Sequence, residues 1–388
     1  MNSIEELYTL ELEVNGSSTS LGPRDADLSL SDSIHSIYPR VIMSISDRSG
    51  YMLDSRFATA GVPFKFTLGY NGQDITLPFI VNTFQTPEQE YYQYLNGKIE
   101  IELIHEFFSK FVSEYKAYPD VPSKILSDIL RNEKFSKKLI ESTARIQELP
   151  YYNPGYSFKD FVEKILLPNS RSTENSFDPF YCFIDANNSF HYETYGSMLK
   201  RKSSKTLYYK SGRKNMTELQ KILEFRPFSL RLDSINSKVN YNYFYLDENG
   251  SLELEEKRLS IIDNKLSPYS IFGGSKEVQT IFNDKISDSK LIEQSYVSVN
   301  NEKKRSMLID RVAVTTLLDV SSCAGKIVEL ETDYEQENMS SSYSGKYLIE
   351  SSTHIWDSKT VKGYTQMILS RQKTEFPIGS KITGELIR

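Results

Sequence analysis

The side chains that most often carry out chemistry are few in this sequence and lie far apart. Four histidines and two cysteines are present: His35, His105, His191, His354, Cys182 and Cys323. No histidine lies within five residues of another histidine or of a cysteine, so the local spacing of zinc and metalloprotease sites is missing. A site assembled across the fold remains an open alternative. The pattern itself predicts no catalytic residue, no cofactor-binding residue and no metal ligand.

Other catalytic motifs are also missing. The stretch "CAGKIV" lacks the glycine that a Walker loop places five positions before Gly325, and no Gly-x-Ser-x-Gly elbow occurs. Cys182 lies in an aromatic stretch and is expected to be a core residue rather than a nucleophile. Carboxylates are numerous, but a glycosidase pair cannot be told from surface residues by sequence.

A basic segment from Lys200 to Lys214 contains Tyr208 and Tyr209. Basic and aromatic side chains together could bind single-stranded nucleic acid by charge and stacking. The formal net charge of the whole chain is -6, which favours a solvated loop or a contact with an acidic protein.

The composition is that of an ordinary globular chain. Its 388 residues are 39% hydrophobic and 25% charged, and the length suggests two or three domains. The two distant cysteines favour reduced, buried thiols and folding in a reducing cytoplasm. The first residues do not form a secretory leader, and no run approaches the ~18 apolar residues of a membrane helix.

Alternating apolar and polar residues predict β-strands at the start of the chain. In "YTLELEV", Leu10, Leu12 and Val14 point to one face and the glutamates to the other. Asn71-Gly72 and Asn96-Gly97 each stand between two such runs, and both residue types tolerate the positive φ of a tight hairpin. Strands joined by such turns predict a sandwich or a small barrel.

The spacing becomes helical after Tyr118. Apolar residues predict helix along "PDVPSKILSDILRNEKFSKKLIESTARIQEL" at these positions: Ile125, Ile129, Leu130, Phe135, Leu139 and Ile140. A second helix is predicted between a Ser157 cap and Pro168, with an apolar face made by Phe158, Phe161, Val162, Ile165 and Leu166. Aromatic strands around the segment 185–188 then predict a hairpin.

Strands dominate again towards the end of the chain. A hairpin is predicted around Glu248-Asn249-Gly250, and further strands in "RVAVTTLLDV" and "GKIVELET". The charged segment from Asn300 to Arg311 is expected to be a solvated helix. The segment from Tyr334 to Gly345 is expected to be a polar loop.

The segment "GKYLIESSTHIWDSKTVKGYTQMILSRQ" predicts a last hairpin that turns at the segment 357–360. Strict alternation places Leu348, Glu350, Ser352, His354 and Trp356 on one face, and Tyr347, Ile349, Ser351, Thr353 and Ile355 on the other. Apolar residues occur on both faces near the ends, which indicates packing on one side and a partner on the other. His354 is expected to form a hydrogen bond inside the domain rather than to titrate for a purpose.

This hairpin resembles the closing hairpin of phage baseplate hub proteins. That family includes hubs of contractile-tail phages, late-control proteins and the hub half of type VI secretion spikes. The matching positions are Tyr347, Leu348, Ile349, Thr353 and His354 in the first strand, and Tyr364, Met367, Leu369 and Arg371 in the second. In the middle of the chain, the small inserted domain of the hubs is similar at Phe183, Ile184, Asp185, Asn188, Phe190 and His191.

The sequence also departs from the family pattern. The strand before the final hairpin usually opens with Leu-x-x-Gly, whereas this chain reads "SSCAGK". No spike-like β-helix or lysozyme segment follows Arg388, so a spike is expected to be a separate chain.

The resemblance implies a β-rich α+β fold, in which two tail-tube-like antiparallel β-barrels bracket a small α/β middle region. The expected domains are a first barrel over 1–117, a helical and hairpin domain over 118–204, and a second barrel over 205–388 with inserted segments at about 246–311.

The resemblance implies a structural function and no reaction. Three chains would form a homotrimeric ring with pseudo-sixfold symmetry, which joins the hexameric tail tube to a trimeric central spike. Expected partners are the tube protein or its initiator above and a separate spike below, with a tape-measure protein as a further candidate. Neither a membrane nor a cofactor is expected, and nucleic acid would only pass through the lumen. The expected location is the virion baseplate, after assembly in the cytoplasm of the bacterial host.

Two other functions remain as alternatives. Many tyrosines could stack on sugars in a receptor- or carbohydrate-binding tail protein, which would need an exposed aromatic cleft. A cell-wall hydrolase would need two carboxylates facing each other across a groove.

Overall fold

The structure is a computed structural model. It describes residues 8–14, 17–46, 60–70, 72–85, 98–110, 115–144, 150–173, 179–209, 216–227, 238–246, 252–260, 265–267, 276–282, 310–332 and 343–371. In these ranges, no helix is both long enough and apolar enough to cross a membrane.

Strands make up most of the described chain, which confirms the β-rich class. They are β1 (Tyr8–Val14), β2 (Ser17–Ser20), β3 (Ala26–Ser33), β4 (Arg40–Ser46), β5 (Pro63–Tyr70), β6 (Gln73–Gln85), β7 (Lys98–His105), β8 (Tyr115–Tyr118), β9 (Lys137–Ile140), β10 (Tyr151–Pro154), β11 (Phe180–Ile184), β12 (Ser189–Thr194), β13 (Lys205–Tyr209), β14 (Ile222–Pro227), β15 (Lys238–Leu246), β16 (Leu252–Ser260), β17 (Lys265–Ser267), β18 (Lys276–Phe282), β19 (Asp310–Leu317), β20 (Ile327–Thr332), β21 (Gly345–Asp357) and β22 (Lys362–Arg371).

The helices are short. They are α1 (Pro122–Ile129), α2 (Phe158–Phe161, extended by a π-helical turn over Val162–Leu166) and α3 (Tyr195–Leu199). Single 3-10 turns occur at Glu106–Ser109 and Glu218–Gln220.

A single sheet of 13 strands connects the beginning of the chain with its end. Its order is β14-β19-β22-β21-β3-β4-β7-β6-β5-β1-β2, with β20 paired to β21 and β13 paired to β20. Three smaller sheets have the orders β10-β8, β11-β12-β9 and β17-β16-β15-β18. The described strand pairs do not close into a ring, so the arrangement as two barrels stays a prediction.

The hairpins predicted from turn residues are present wherever the structure describes both strands. β5 pairs with β6 across Gly72, whose φ is +75°, and β15 pairs with β16 across 247–251. β11 pairs with β12, and Asn188 takes the positive φ of that turn. At Asn96-Gly97 only the second strand, β7, is described, because residues 86–97 lie outside the described ranges.

The two predicted helical segments have different outcomes. Ser157 accepts a hydrogen bond from the Asp160 amide at the start of α2, as predicted for a cap. The first helix, in contrast, ends at Ile129, and the prediction of helix at Phe135, Leu139 and Ile140 is wrong. Phe135 lies in the irregular segment after the helix. Leu139 and Ile140 lie in β9, which pairs in parallel with β12, so tertiary pairing overrides their helical spacing.

Two other segments lie mostly outside the described ranges. Of the charged segment 300–311, only the last two residues are described, and they begin β19 rather than a helix. Of the polar segment 334–345, only 343–345 is described.

The described core consists of four hydrophobic clusters. The largest lies between β1 and β3–β7 and also includes Leu318, Val320 and Trp356 from the end of the chain. A second surrounds the helices of the middle segment, a third lies under α3, and a fourth is enclosed by β13, β14, β19, β20, β21 and β22. The middle segment contributes to the second and third clusters, so it packs on both parts of the large sheet.

A β-bulge changes the expected alternation in the last hairpin. In the β21–β22 register, Ile349 pairs with Leu369 and Ser351 pairs with Ile368, which leaves Glu350 as an extra residue. Paired residues share a face, so Ile349 lies on the same side as Ser352 and Trp356. The predicted assignment of residues to the two faces is therefore correct for the residues that follow the bulge. It is wrong for the residues that precede it.

Candidate functional site: the seam between the two parts of the large sheet

The two parts of the large sheet meet where β3 pairs with β21. The register runs from Ser351↔Ser33 to Trp356↔Leu28. We call this pairing the seam. Because its hydrogen bonds continue the sheet from one part into the other, the seam fixes the position of the chain end against the beginning.

Trp356 anchors the seam in the first core. Its ring stacks on Tyr8 at a centroid distance of 4.1 Å, and its Nε1 donates a hydrogen bond of 2.8 Å to the Pro23 carbonyl oxygen. The side chain is 1% exposed. The only tryptophan of the chain is therefore a structural residue.

His354 is buried beside Trp356 on the same side of β21. Its Nδ1 lies 3.1 Å from Thr365 Oγ1, which confirms the expected internal hydrogen bond. Burial lowers the pKa of His354 to about 4, so the imidazole is neutral at neutral pH.

Asp32, at the end of β3, connects three distant segments. Its carboxylate accepts hydrogen bonds from the Ala186 amide at 2.8 Å, the Ala324 amide at 3.1 Å and the Ser352 hydroxyl. The side chain is buried, and this burial raises the pKa of Asp32 to about 6 despite the hydrogen bonds. The carboxylate holds the middle hairpin and the segment before β20 against the seam.

In the hairpin that Asp32 contacts, His191 lies between two carboxylates. Its Nε2 is 3.1 Å from Asp185 Oδ2, and its Nδ1 is 2.6 Å from Glu193 Oε1. Glu193 also pairs with Arg201, whose Nη1 donates to the Gly325 carbonyl oxygen at 3.1 Å. We call Asp32, Asp185, His191, Glu193 and Arg201 the junction cluster.

Charges set the ionisation of the junction cluster. Burial opposes a charge on His191, but the hydrogen bonds to Asp185 and Glu193 outweigh it and raise the pKa of His191. Burial likewise opposes ionisation of Asp185, and the contact with His191 reverses this and lowers the pKa of Asp185.

Cys323 lies beside the junction cluster but is not an activated nucleophile. Its Sγ accepts a hydrogen bond of 3.0 Å from Asn187 Nδ2 and lies 3.6 Å from Asp185 Oδ2. The side chain is fully buried, and this burial together with Asp185 and Asp32 raises the pKa of the Cys323 thiol well above its ordinary value. A protonated thiol without access to solvent does not attack a substrate.

The sequence analysis named no catalytic, cofactor-binding or metal-ligating residue. In the structure, the four histidines contact different partners. His35 contacts Glu350 at 2.8 Å and His105 contacts Asn188 at 3.0 Å, while His191 and His354 lie near the seam. Within the described ranges, no three His, Cys, Asp or Glu side chains are grouped so that they could hold a metal ion.

The sequence analysis missed the junction cluster, although part of it was within reach. Asp185, His191 and Glu193 belong to the predicted hairpin, and residues two positions apart in a strand share a face. A pair such as His191 and Glu193 on one strand face was therefore readable from the sequence. Asp32 and Arg201 were not, because they join the cluster only through tertiary contacts.

The basic segment 200–214 is only partly a loop. Its residues Lys205–Tyr209 form β13, where the prediction of a solvated loop is wrong, and residues 210–215 lie outside the described ranges. Lys205 contacts Asp319 and Ser322 inside the protein. Tyr209 stacks on Phe225 at 4.9 Å.

Opposite the clusters, the seam has a face of small polar residues. We call it the Ser/Thr face, and it consists of Ser29, Ser31, Ser33, Thr315, Ser351, Thr353 and Gln366. Its charged neighbours pair with each other, Arg40 with Glu102 at 3.7 Å and Arg226 with Glu224 at 3.3 Å. Ile42, Ile355 and Ile368 lie on the same side, so the face combines small polar side chains with a few apolar ones and two pairs of opposite charges.

Sequence comparisons do not find relatives of this chain. No protein-family model matches it, and no curated protein matches it significantly.

Solved structures, in contrast, match over nearly the whole chain. A tail protein from Neisseria meningitidis MC58 has a TM-score of 0.55 at 9% identity, over 95% of this chain and 98% of that one. The 43 kDa tail protein of prophage MuSo2 from Shewanella oneidensis has a TM-score of 0.56 at 9% identity, with coverages of 94% and 98%.

A component of a bacterial secretion system also matches this fold. An E. coli component of the type VI secretion system, described as structurally similar to the T4 bacteriophage tail proteins gp27 and gp5, has a TM-score of 0.50 at 10% identity. The match covers 93% of this chain and 77% of that one. The chain therefore has the fold of phage tail proteins and of this type VI secretion component, which confirms, at the level of fold, the resemblance predicted from its hairpins.

Proposed function

We propose that this chain is the structural hub of the baseplate in a phage tail or a tail-like injection machine. The observation that supports this most is the seam, which joins the beginning and end of the chain into one sheet of 13 strands. Tail proteins from two bacteria share this fold over 94% or more of the chain. The proposal makes the function mechanical, with no reaction.

The proposed assembly is a homotrimer with pseudo-sixfold symmetry. In it, the domain over 1–117 and the domain over 205–388 each occupy one tube-like position, so three chains fill six. The ring joins a hexameric tail tube above to a separate trimeric spike below. A closed ring needs heterologous contacts, in which different surfaces of neighbouring copies meet.

The Ser/Thr face suits the wall of the lumen in such a ring. Its hydroxyl and amide side chains form hydrogen bonds with water, and its charged neighbours neutralise each other at the distances given above. Nucleic acid that passes such a wall is neither held by cations nor repelled by unpaired carboxylates. The proposed location is the tail of a virion that is assembled in the host cytoplasm.

The junction cluster supports a structural function over a hydrolase. A glycosidase needs two carboxylates that face a sugar in a groove. Asp185 and Glu193 are buried and have His191 between them, so this pair cannot reach a substrate.

Oligomeric state and position in the particle test the proposal together. We expect the purified protein to be a trimer, alone or with its tube and spike partners, when its mass is measured by native mass spectrometry. Electron microscopy of the assembled particle should place threefold density on the tail axis. A strictly monomeric protein inside assembled particles would contradict the proposal.

A receptor- or carbohydrate-binding function has one observation in its favour. Tyr115 and Tyr152 are 77% and 53% exposed and lie on one face of the β8–β10 ribbon, because Tyr115 pairs with Pro154 and Tyr152 pairs with Ala117. Exposed tyrosines can stack on sugars. Glycan binding that is lost in Tyr115→Ala and Tyr152→Ala, but kept in Lys124→Ala, would favour this second function.

A further inference from the structure

His191 is buried between two hydrogen-bond acceptors. A neutral imidazole has one N–H and one lone pair, so it can donate to only one of two ionised carboxylates. Its Nε2 faces Asp185 at 3.1 Å and its Nδ1 faces Glu193 at 2.6 Å. One extra proton must therefore lie on the ring or on one of the carboxylates.

The other oxygen of each carboxylate indicates where this proton lies. Asp185 Oδ1 accepts hydrogen bonds from the Asn187 and Ser189 amides at 2.9 Å and 2.8 Å. Glu193 Oε2 pairs with the Arg201 guanidinium. Both sets of donors stabilise an ionised carboxylate, so the proton belongs on the imidazole.

The ring also stacks on an aromatic neighbour. The Phe183 ring is parallel to the imidazole, with a centroid distance of 4.3 Å and an interplanar angle of 4°. The π-face of a phenyl ring attracts a cation, so this contact favours the imidazolium as well.

The two carboxylates connect His191 with the segment that precedes β20. Asp185 Oδ2 contacts Cys323 Sγ, and Glu193 reaches the Gly325 carbonyl oxygen through Arg201. Asp185 also begins the turn whose Ala186 amide binds Asp32. A change of charge on His191 therefore acts on the place where the middle hairpin, the end of the chain and the seam meet.

We propose that His191 is held as an imidazolium and that its charge locks the middle hairpin onto the seam, so that alkaline pH loosens this junction. The charged or titratable groups that face it are Asp185 and Glu193 directly, and Asp32, Arg201, Cys323 and Lys326 around them. The strand β9 contributes Leu139, which is apolar, opposite His191. This inference is independent of the proposed hub function.

The sign of the pH dependence follows from the raised pKa of His191. The folded protein retains a proton that the unfolded chain loses near pH 6.5, so the stabilisation is complete below about pH 6.5. It decreases as the pH rises above 6.5 and is lost once the pH passes the folded-state pKa. Cys323 stays protonated in this range because its own pKa is raised.

Nuclear magnetic resonance of the full-length protein with ¹⁵N-labelled histidine tests the proton directly. We expect the His191 signal to keep both ring nitrogens at the shift of the protonated state above pH 6.5, where a free imidazole has lost a proton. It is assigned as the signal lost in His191→Gln or, if that variant does not fold, as the one moved by Glu193→Gln. A His191 signal with only one protonated nitrogen at pH 6 would overturn the proposal.

Thermal unfolding between pH 6 and 9 tests the lock. The midpoint of the wild type should fall as pH rises, whereas His191→Gln should start lower at pH 6 and show a smaller slope. His354→Gln, at a buried histidine whose pKa is lowered to about 4, is the matched control and should keep the wild-type slope between about pH 7.5 and 9. Equal slopes in the wild type and His191→Gln would show that no proton on His191 stabilises the fold.

Discussion

Trp356 contributes to stability through both its ring and its indole N–H. Replacing it with alanine removes the stack on Tyr8 and the hydrogen bond to the Pro23 carbonyl oxygen, and leaves a cavity in the first core. We expect Trp356→Ala to lower the free energy of unfolding by about 3 kcal/mol, measured by urea denaturation. Trp356→Phe, which keeps an aromatic ring, should lose less. An unchanged midpoint in the alanine variant would mean that the ring is exposed.

His354 makes the fold sensitive to acid. Its folded-state pKa of about 4 is below the ordinary 6.5, so its stabilising contribution is present above pH 6.5 and is lost as pH falls towards 4. The free energy of unfolding should therefore decrease over this range by less in His354→Gln than in the wild type. Chemical denaturation at several pH values measures the difference.

His105 and Asp32 are also buried and titrate between about pH 4 and 6.5. The effect of His354 is therefore the difference in pH dependence between the variant and the wild type. His105, whose pKa is also lowered to about 4 by burial, acts in the same direction as His354. Asp32, with a pKa of about 6, acts in the opposite direction, because the folded state binds its proton more readily than the unfolded chain. Identical pH slopes in His354→Gln and the wild type would refute the assignment to His354.

At the scale of the elements, local signals and tertiary pairing decide different parts of the fold. The hairpins at Gly72 and Asn188 follow from residues that tolerate positive φ, and sequence is enough to predict them. The strand β9 has helical spacing but pairs with β12, and the bulge at Glu350 lies where β21 passes from its pairing with β20 to its pairing with β3. No local pattern contains these partners.

A glycine in β22 allows the seam to pack closely. Gly363 lies opposite Trp356, and a Cβ at this position would stand 2.7 Å from Leu318 Cβ and 2.8 Å from Trp356 Cε3. We expect Gly363→Ala to destabilise the protein by about 1–3 kcal/mol through overpacking, measured by urea denaturation. Gln366→Ala, on the exposed side of the same strand, is the control and should change stability little. Equal effects of the two variants would mean that the packing around Gly363 gives way freely.

At the scale of the molecule, this chain shares a fold with proteins whose sequences are unlike its own. The strands β3 and β21 pair through alternating residues, a pattern that many sequences satisfy. The resemblance of the closing hairpin could therefore be detected from a few positions. The complete junction cluster could not, because Asp32 and Arg201 join the middle hairpin only through this chain's tertiary contacts.

The orientation of the Ser/Thr face can be tested chemically, because Cys182 and Cys323 are both buried and react little with thiol reagents. If the Ser/Thr face lines the lumen of the proposed ring, Ser31→Cys in assembled particles should react with a small biotin maleimide but not bind streptavidin, since a protein of that size cannot enter the lumen. Arg131→Cys, at an exposed position after α1, is the matched control and should bind streptavidin after the same labelling. Streptavidin bound equally at both positions in assembled particles, measured by a gel shift, would place the Ser/Thr face outside the ring and remove the lumen from the proposed hub.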